Sequence, residues 1–227
     1  MTTATDADTT RDRILTAATD EFAQYGVAGG RIERIARRAK TSKERLYAHF
    51  RSKQQLYRIV AERELATMTE ATRIDATDLP SYAGRVHDYF TAHPDHLRLL
   101  QWGRLDITRA DVMDDPFEES VRQTVRRTVD LLRQAQETEQ LNPAWDPIDI
   151  MVLVTQISLA WAWQPDLVDL AQGQVRNTSG EARRAAIVAA VAGLFPAAAA
   201  SSASPGTDGV DPSSVYEDRG DFSCGSG

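Results

Sequence analysis

Arg31-Ile-Glu-Arg-Ile-Ala-Arg-Arg-Ala-Lys-Thr-Ser-Lys-Glu-Arg-Leu-Tyr-Ala-His-Phe50, continued by Arg51-Ser-Lys53, decides how this chain folds. Ile32, Ile35, Ala36 and Ala39 recur at i, i+3, i+4 and i+7, a single stripe of an α-helix. Arg31, Arg34, Arg37 and Arg38 take positions between them. The stripe breaks at Lys40-Thr41. A second short helix then opens on a hydroxyl cap, Thr41 or Ser42, and Glu44 stands three residues after Thr41 with capping-box spacing. Leu46 and Phe50 are its inward residues. Two short helices about a three-residue turn, the second beginning with small polar and basic side chains, outline a helix-turn-helix. Such a unit lays its second helix in the major groove of DNA.

Charge points the same way. Between Arg31 and Arg58 ten Lys and Arg are opposed only by Glu33 and Glu44, a local +8 in a chain whose formal net charge is −7. The remainder therefore carries −15. An acidic chain with one cationic module attracts phosphate at one surface and repels it elsewhere. An ordinary solvated helical face mixes both signs.

Outward from this stretch the periodicity stays helical. Residues 1–9 hold no large apolar side chain and are expected to form a disordered tail. Helix 1 is expected over Thr10–Tyr25, with Ile14, Ala18 and Phe22 inward and Gly26 as its stop. Gly29-Gly30 gives a flexible entry to helix 2, whose N-terminus, with Arg31, is suited to phosphate. Ser52-Lys-Gln-Gln55 is a capping box that starts helix 4, and Asp75-Ala-Thr-Asp78 with Pro80 marks a loop. Tyr82, Val86, Tyr89 and Phe90 form one face of helix 5, and Leu97, Leu100 and Trp102 belong to helix 6. Asp115-Pro116 and Asp146-Pro147 each supply an N-cap followed by Pro at the first helical position. The first opens helix 7, with Val121, Val125 and Leu132 inward and Arg122, Arg126, Arg127, Asp130 and Arg133 outward. The second opens helix 8, which is apolar nearly all round and so needs partners on more than one side. With the small-residue helix around 181–195, the helix around 147–163 is expected to form a symmetric homodimer interface. Beyond Pro196 the chain turns to Ala, Ser, Gly, Pro and acids, a composition expected to be disordered.

The opening residues resemble a family. Ile14-Leu15…Ala17-Ala18…Phe22…Tyr25-Gly26, followed by Ile35-Ala-Arg-Arg-Ala…Ser42-Lys-Glu-Arg-Leu-Tyr-Ala-His-Phe-Arg-Ser-Lys53, is similar to the N-terminal domain of the TetR family of bacterial transcriptional regulators. One position departs: Lys40 stands where that family usually has Gly in the turn. The resemblance implies a double-stranded DNA operator as partner, and a Tyr, a His and a Lys that approach the sugar-phosphate backbone, here Tyr47, His49 and Lys53. Lys43 and Arg45 are long enough for a guanine edge or a phosphate, and Ser42 for capping or a base contact. Arg31 and Lys40 add charge beside them. The resemblance also implies a small-molecule effector enclosed by the C-terminal helices, with Tyr89, Trp102, Met113, Phe117 and Met151 as candidate lining, though core packing is the competing role for each.

The expected architecture is all-α: a helix-turn-helix domain over 10–54, a larger ligand-binding and dimerisation domain over 55–196, about nine helices together, and an acidic tail over 197–227. No phosphate-binding loop, nucleophile elbow or paired-carboxylate signature is present, so no enzyme, catalytic residue or cofactor is expected. His93-Pro-Asp-His96 brings two imidazoles near, but Pro94 interrupts the helix that would align them. Exposed rings at a helix end are expected, and no metal site. Cys224 is the sole cysteine, which excludes an internal disulfide. No basic and apolar leader follows Met1 and no run is long enough to span a bilayer, so a cytoplasmic protein is expected. The competing function is a helical ligand-binding or scaffold protein that turns its basic face to a protein partner.

Overall fold

The computed structural model describes residues 3–106, 116–171, 173, 174 and 176–196, with side chains over 9–102, 119–171, 173, 174 and 176–196. Met113, Asp115 and the 197–227 tail with Cys224 lie outside the described residues, as does the side chain of Phe117. All regular structure among the described residues is α-helical: α1 (Thr3–Gly29), α2 (Ile32–Arg38), α3 (Lys43–His49), α4 (Lys53–Ala71), α5 (Leu79–Ala92), α6 (Pro94–Asp106), α7 (Pro116–Glu137), α8 (Pro147–Trp163), α9 (Leu167–Leu170) and α10 (Gly180–Leu194). Helix α1 starts at Thr3, so residues 3–9 are helical where a tail was expected. Extending an existing helix adds a bond per residue without the cost of a new nucleus.

The chain divides into two compact units. One is formed by the described residues within 1–73, 85–125 and 162–165; the other by those within 74–84, 126–161 and 166–227. The core of the first joins Ile14, Ala18 and Phe22 of α1 to Ile32, Ile35 and Ala36 of α2, then to Leu46, Phe50, Leu56, Val60 and Leu99. Burying each such Leu, Ile or Phe contributes about 1.5–3 kcal/mol. This core runs past residue 54, because α4 and α6 close the side of α1 that α2 and α3 leave open. Tyr57 of α4 packs edge-on against Phe22 and donates from its hydroxyl to the Leu99 carbonyl at 3.1 Å.

Gly26 ends the regular part of α1 with φ 66° and ψ −179°, a conformation open essentially to glycine alone. The Trp102 indole of α6 lies across it, where a Cβ at residue 26 would come within 2.9 Å of the ring. Trp102 Nε1 donates to the Ala23 carbonyl at 3.2 Å, which fixes the ring there. Gly30 is likewise a packing position and not a loose entry, since a Cβ would meet the Phe22 ring at 2.9 Å.

In the second unit Leu79 and Ala83 of α5, Leu132 and Ala135 of α7, Ile150 and Val154 of α8, and Ile187 and Val191 of α10 share a core with Leu141 and Phe195. Asp146 caps α8 by accepting from the Ile148 N–H at 3.0 Å, with Pro147 first in the helix as expected. Pro80 sits inside the first turn of α5 and not in the preceding loop, where its missing N–H costs nothing. On α8, Ile148 and Val152 remain 39% and 46% exposed. On α10, Ala185, Ala186, Ala189, Ala190 and Gly193 are all exposed on one face beside Leu194. No helix of the described residues is long and apolar enough to cross a membrane.

Candidate nucleic-acid interface

The helix-turn-helix is built around a buried carboxylate. Glu21 of α1 falls seven residues after Ile14 on the inward stripe, and its side chain is 2% exposed. One oxygen, Oε1, accepts from the Arg31 backbone N–H at 2.8 Å and from Arg34 Nε at 2.7 Å. The Arg34 guanidinium also lies over the Tyr25 ring at 4.2 Å. The entrance to α2 is therefore held by an internal anion: the Arg31 N–H expected to face phosphate is taken, while the Arg31 side chain is exposed. Arg38 of the same helix pairs with Asp20 at 2.6 Å.

The turn from α2 to α3 closes by two backbone bonds, Thr41 N to Ala36 O at 2.9 Å and Lys40 N to Arg37 O at 3.2 Å. This is a Schellman arrangement, with Lys40 at the left-handed position, φ 52°. The departure from Gly noted in the sequence thus falls on a residue that must adopt positive φ. Lys40 itself is exposed. Lys40→Gly is expected to stabilise the fold by about 0.5–1 kcal/mol, the left-handed penalty less the extra freedom glycine has when unfolded. Denaturant titration measures it; an unchanged or lowered midpoint would show the position to be unstrained.

Ser42 caps α3, its Oγ accepting from the Arg45 N–H at 3.1 Å. The cap is thus one residue later than Thr41, and Glu44 falls in the first turn instead of closing a Thr41 box. Bonds to its own N–H and to Ser42 hold the Glu44 carboxyl below its usual range. Leu46 is fully buried, while Lys43, Arg45 and Tyr47 are exposed and His49 is half-buried. The Lys53 ammonium bonds the Ala28 and Gly30 carbonyls at 3.3 and 3.2 Å, which ties the start of α4 to the loop before α2. Of the second expected box one half forms, Ser52 Oγ accepting from Gln55 N at 3.0 Å, while Gln55 Oε1 accepts from the N–H of Arg51, one residue before the cap, at 2.6 Å.

Of the candidate ligand-lining residues, Tyr89 bonds through its hydroxyl to His96 Nδ1 at 2.7 Å, and His96 Nε2 lies 3.1 Å from Glu64 Oε2. Trp102 is committed to Gly26, and Met151 packs on the second core. His93 and His96 stack at 5.0 Å across the junction where α5 ends and Pro94 begins α6. The His96 ring is half-buried, not exposed, and burial lowers its pKa. Among the described residues no group of three His, Cys, Asp or Glu side chains could hold a metal ion.

Comparison with known proteins accords with this geometry. Residues 14–60 match the model of the bacterial regulatory proteins of the tetR family, and residues 78–192 match the tetracyclin repressor-like C-terminal domain. The chain is 33% identical over 159 residues to the HTH-type transcriptional repressor SCO4008 of Streptomyces coelicolor, covering 70% of this chain and 81% of that one. It is 38% identical over 105 residues to the HTH-type transcriptional repressor NicS of Pseudomonas putida, covering 43% and 49% respectively. A crystal structure of the transcriptional regulator SCO4942 of Streptomyces coelicolor superposes with a TM-score of 0.74 at 48% identity, covering 83% of this chain and 99% of that one. With an α3 that buries Leu46 and presents Lys43, Arg45 and Tyr47, and with both parts of the chain matched, this protein belongs to the TetR family of DNA-binding transcriptional regulators.

Proposed function

We propose that the chain is a cytoplasmic repressor that binds a palindromic operator as a homodimer and leaves it when a small molecule binds the C-terminal helices. Residues 10–54 are the DNA-reading part in this scheme, and 55–196 the ligand-binding and dimerisation part. The exposed faces of α8 (Ile148, Val152) and α10 (Ala186, Ala190, Leu194) support a two-fold partner, since apolar helix faces of this kind are covered in a stable protein. Two copies would set their recognition helices roughly 34–36 Å apart, one turn of DNA. An effector that prefers a different spacing releases the dimer only to the extent of that preference. Tyr89, Trp102, Met113, Phe117 and Met151 remain the candidate effector contacts; Tyr89 and Trp102 would each have to leave a present bond, to His96 and to the Ala23 carbonyl, to meet an effector.

The observation that carries the reading is α3 itself, seven residues with one buried leucine and a cationic outer face. Arg31, Lys40, Ser42, Lys43, Arg45, Tyr47, His49 and Lys53 are the proposed DNA contacts. For Lys53 this means exchanging two carbonyl bonds for a phosphate. Lys43→Ala combined with Arg45→Ala is expected to abolish selective operator binding while dimer and helicity are unchanged. Gel shift at fixed salt reads the first, and sedimentation and circular dichroism the second. Unchanged affinity would remove α3 from the interface, and a flat dependence of affinity on salt would favour a protein partner for the basic face. Lys40→Gly, stabilising for the fold, is expected to weaken DNA binding and to reduce the salt slope by about one.

A further inference from the structure

One ion pair spans α2 and α3 on the cationic surface. Lys43 is the first residue of α3 and Glu33 the second of α2; Nζ and Oε1 are 2.6 Å apart, with 48% and 62% of the two side chains exposed. The contact keeps both groups charged. Lys43 holds the Glu33 carboxyl below its ordinary range, and Glu33 raises the Lys43 ammonium. Across the +8 window Glu33 is thus an acid bonded to one of the cations assigned to reading DNA.

We infer that Glu33 is a specificity-determining positioning residue: its carboxylate engages Lys43 until a matching base edge displaces it, and so suppresses binding to duplexes of arbitrary sequence. The inference rests on α3 being the reading helix. Binding to arbitrary DNA is driven by cations that neutralise phosphates and release counterions. A lysine already bonded to a carboxylate brings little uncompensated charge to that exchange, and the carboxylate repels the approaching phosphate. A guanine edge offers Lys43 two acceptors, O6 and N7, in a fixed geometry. An exposed ion pair is weak enough for such a contact to replace it. The same Glu33 charge therefore penalises the wrong duplex more than the right one. An acid that acted through overall charge alone would penalise both equally, and would do so with or without Lys43.

The test uses the full chain with Glu33→Gln, Glu33→Asp, Lys43→Ala, Lys43→Ala with Arg45→Ala, and Glu33→Gln with Lys43→Ala. Each is titrated by anisotropy at several salt concentrations against two probes, a duplex enriched from a random library by the unaltered protein and an alternating dA-dT duplex, which lacks the O6 and N7 pair of guanine. Glu33→Gln is expected to bind the dA-dT duplex roughly threefold to tenfold more tightly, with a salt slope steeper by about one. Affinity for the enriched duplex is expected to stay within about twofold, so discrimination falls. Glu33→Asp should restore discrimination, and Glu33→Gln should do nothing further once Lys43 is alanine. Equal tightening on both probes, or an effect that persists without Lys43, overturns the inference. If the Lys43 and Arg45 double variant still selects the enriched duplex, the placement of α3 is what fails.

Discussion

Glu21→Ala is expected to cost the protein about 3 kcal/mol, the lower part of the range for removing one partner of a buried ion pair. The lower part applies because the Arg34 side chain, 28% exposed, can turn to water, whereas the Arg31 N–H loses its acceptor outright. Domains of this kind are stable by only about 5–15 kcal/mol, so the change is large. Glu21→Gln keeps an acceptor for one of the two donors and should cost less. The readout is a denaturant midpoint paired with DNA binding. Both should fall, because α2 is anchored at its entrance and α3 follows α2 through a turn of only four residues. A midpoint within about 1 kcal/mol of the unaltered protein would show that water replaces the carboxylate without loss.

Gly26→Ala is expected to have an effect of similar size from a different source. The backbone conformation at φ 66° and ψ −179° costs a residue with a Cβ about 1–3 kcal/mol. The Cβ would also stand 2.9 Å from the Trp102 ring, and overpacking of this kind costs about 1–3 kcal/mol more. Because the two costs have separate origins, a double-mutant cycle divides them. In a Trp102→Ala background the packing cost of Gly26→Ala should vanish and the conformational cost remain. Perfect additivity would mean that the indole moves aside freely, and would count against Trp102 as the clamp between α6 and the end of α1.

These two residues also mark where the sequence is legible and where it is not. Local signals survive: the stripe of α2, the Ser52 cap, the Asp146-Pro147 start of α8 and the glycine stop at residue 26 each depend on atoms within four residues of one another. What escapes is chemistry across the chain. Glu21 is ten residues before the N–H it caps, and only its place on the inward stripe of α1, seven after Ile14, distinguishes it from a surface acid. The partnership of Trp102 with Gly26 leaves no trace in either neighbourhood, and neither does the bond from Lys53 to two carbonyls before α2. The reach of the first core beyond residue 54 is hidden for the same reason, since Leu99 joins it from α6. Of the two imidazoles expected to be exposed at a helix end, His93 is exposed and His96 is not. A proline that ends one helix also begins the next, and α6 carries the second imidazole inward. For the proposed DNA contacts, residue type and spacing single out the cations, but which of them are already engaged by Glu33, Glu21 or backbone carbonyls is a property of the folded chain.

The brevity of α3 sets a limit on how much text a single copy can parse. Seven residues rising about 1.5 Å each cover about 10 Å, the length of three base steps of a double helix. A word of three or four letters recurs by chance thousands of times in any bacterial chromosome. An unambiguous address therefore requires a second word at a fixed interval, and in the proposed homodimer the distance between the two copies of α3 would become part of the message.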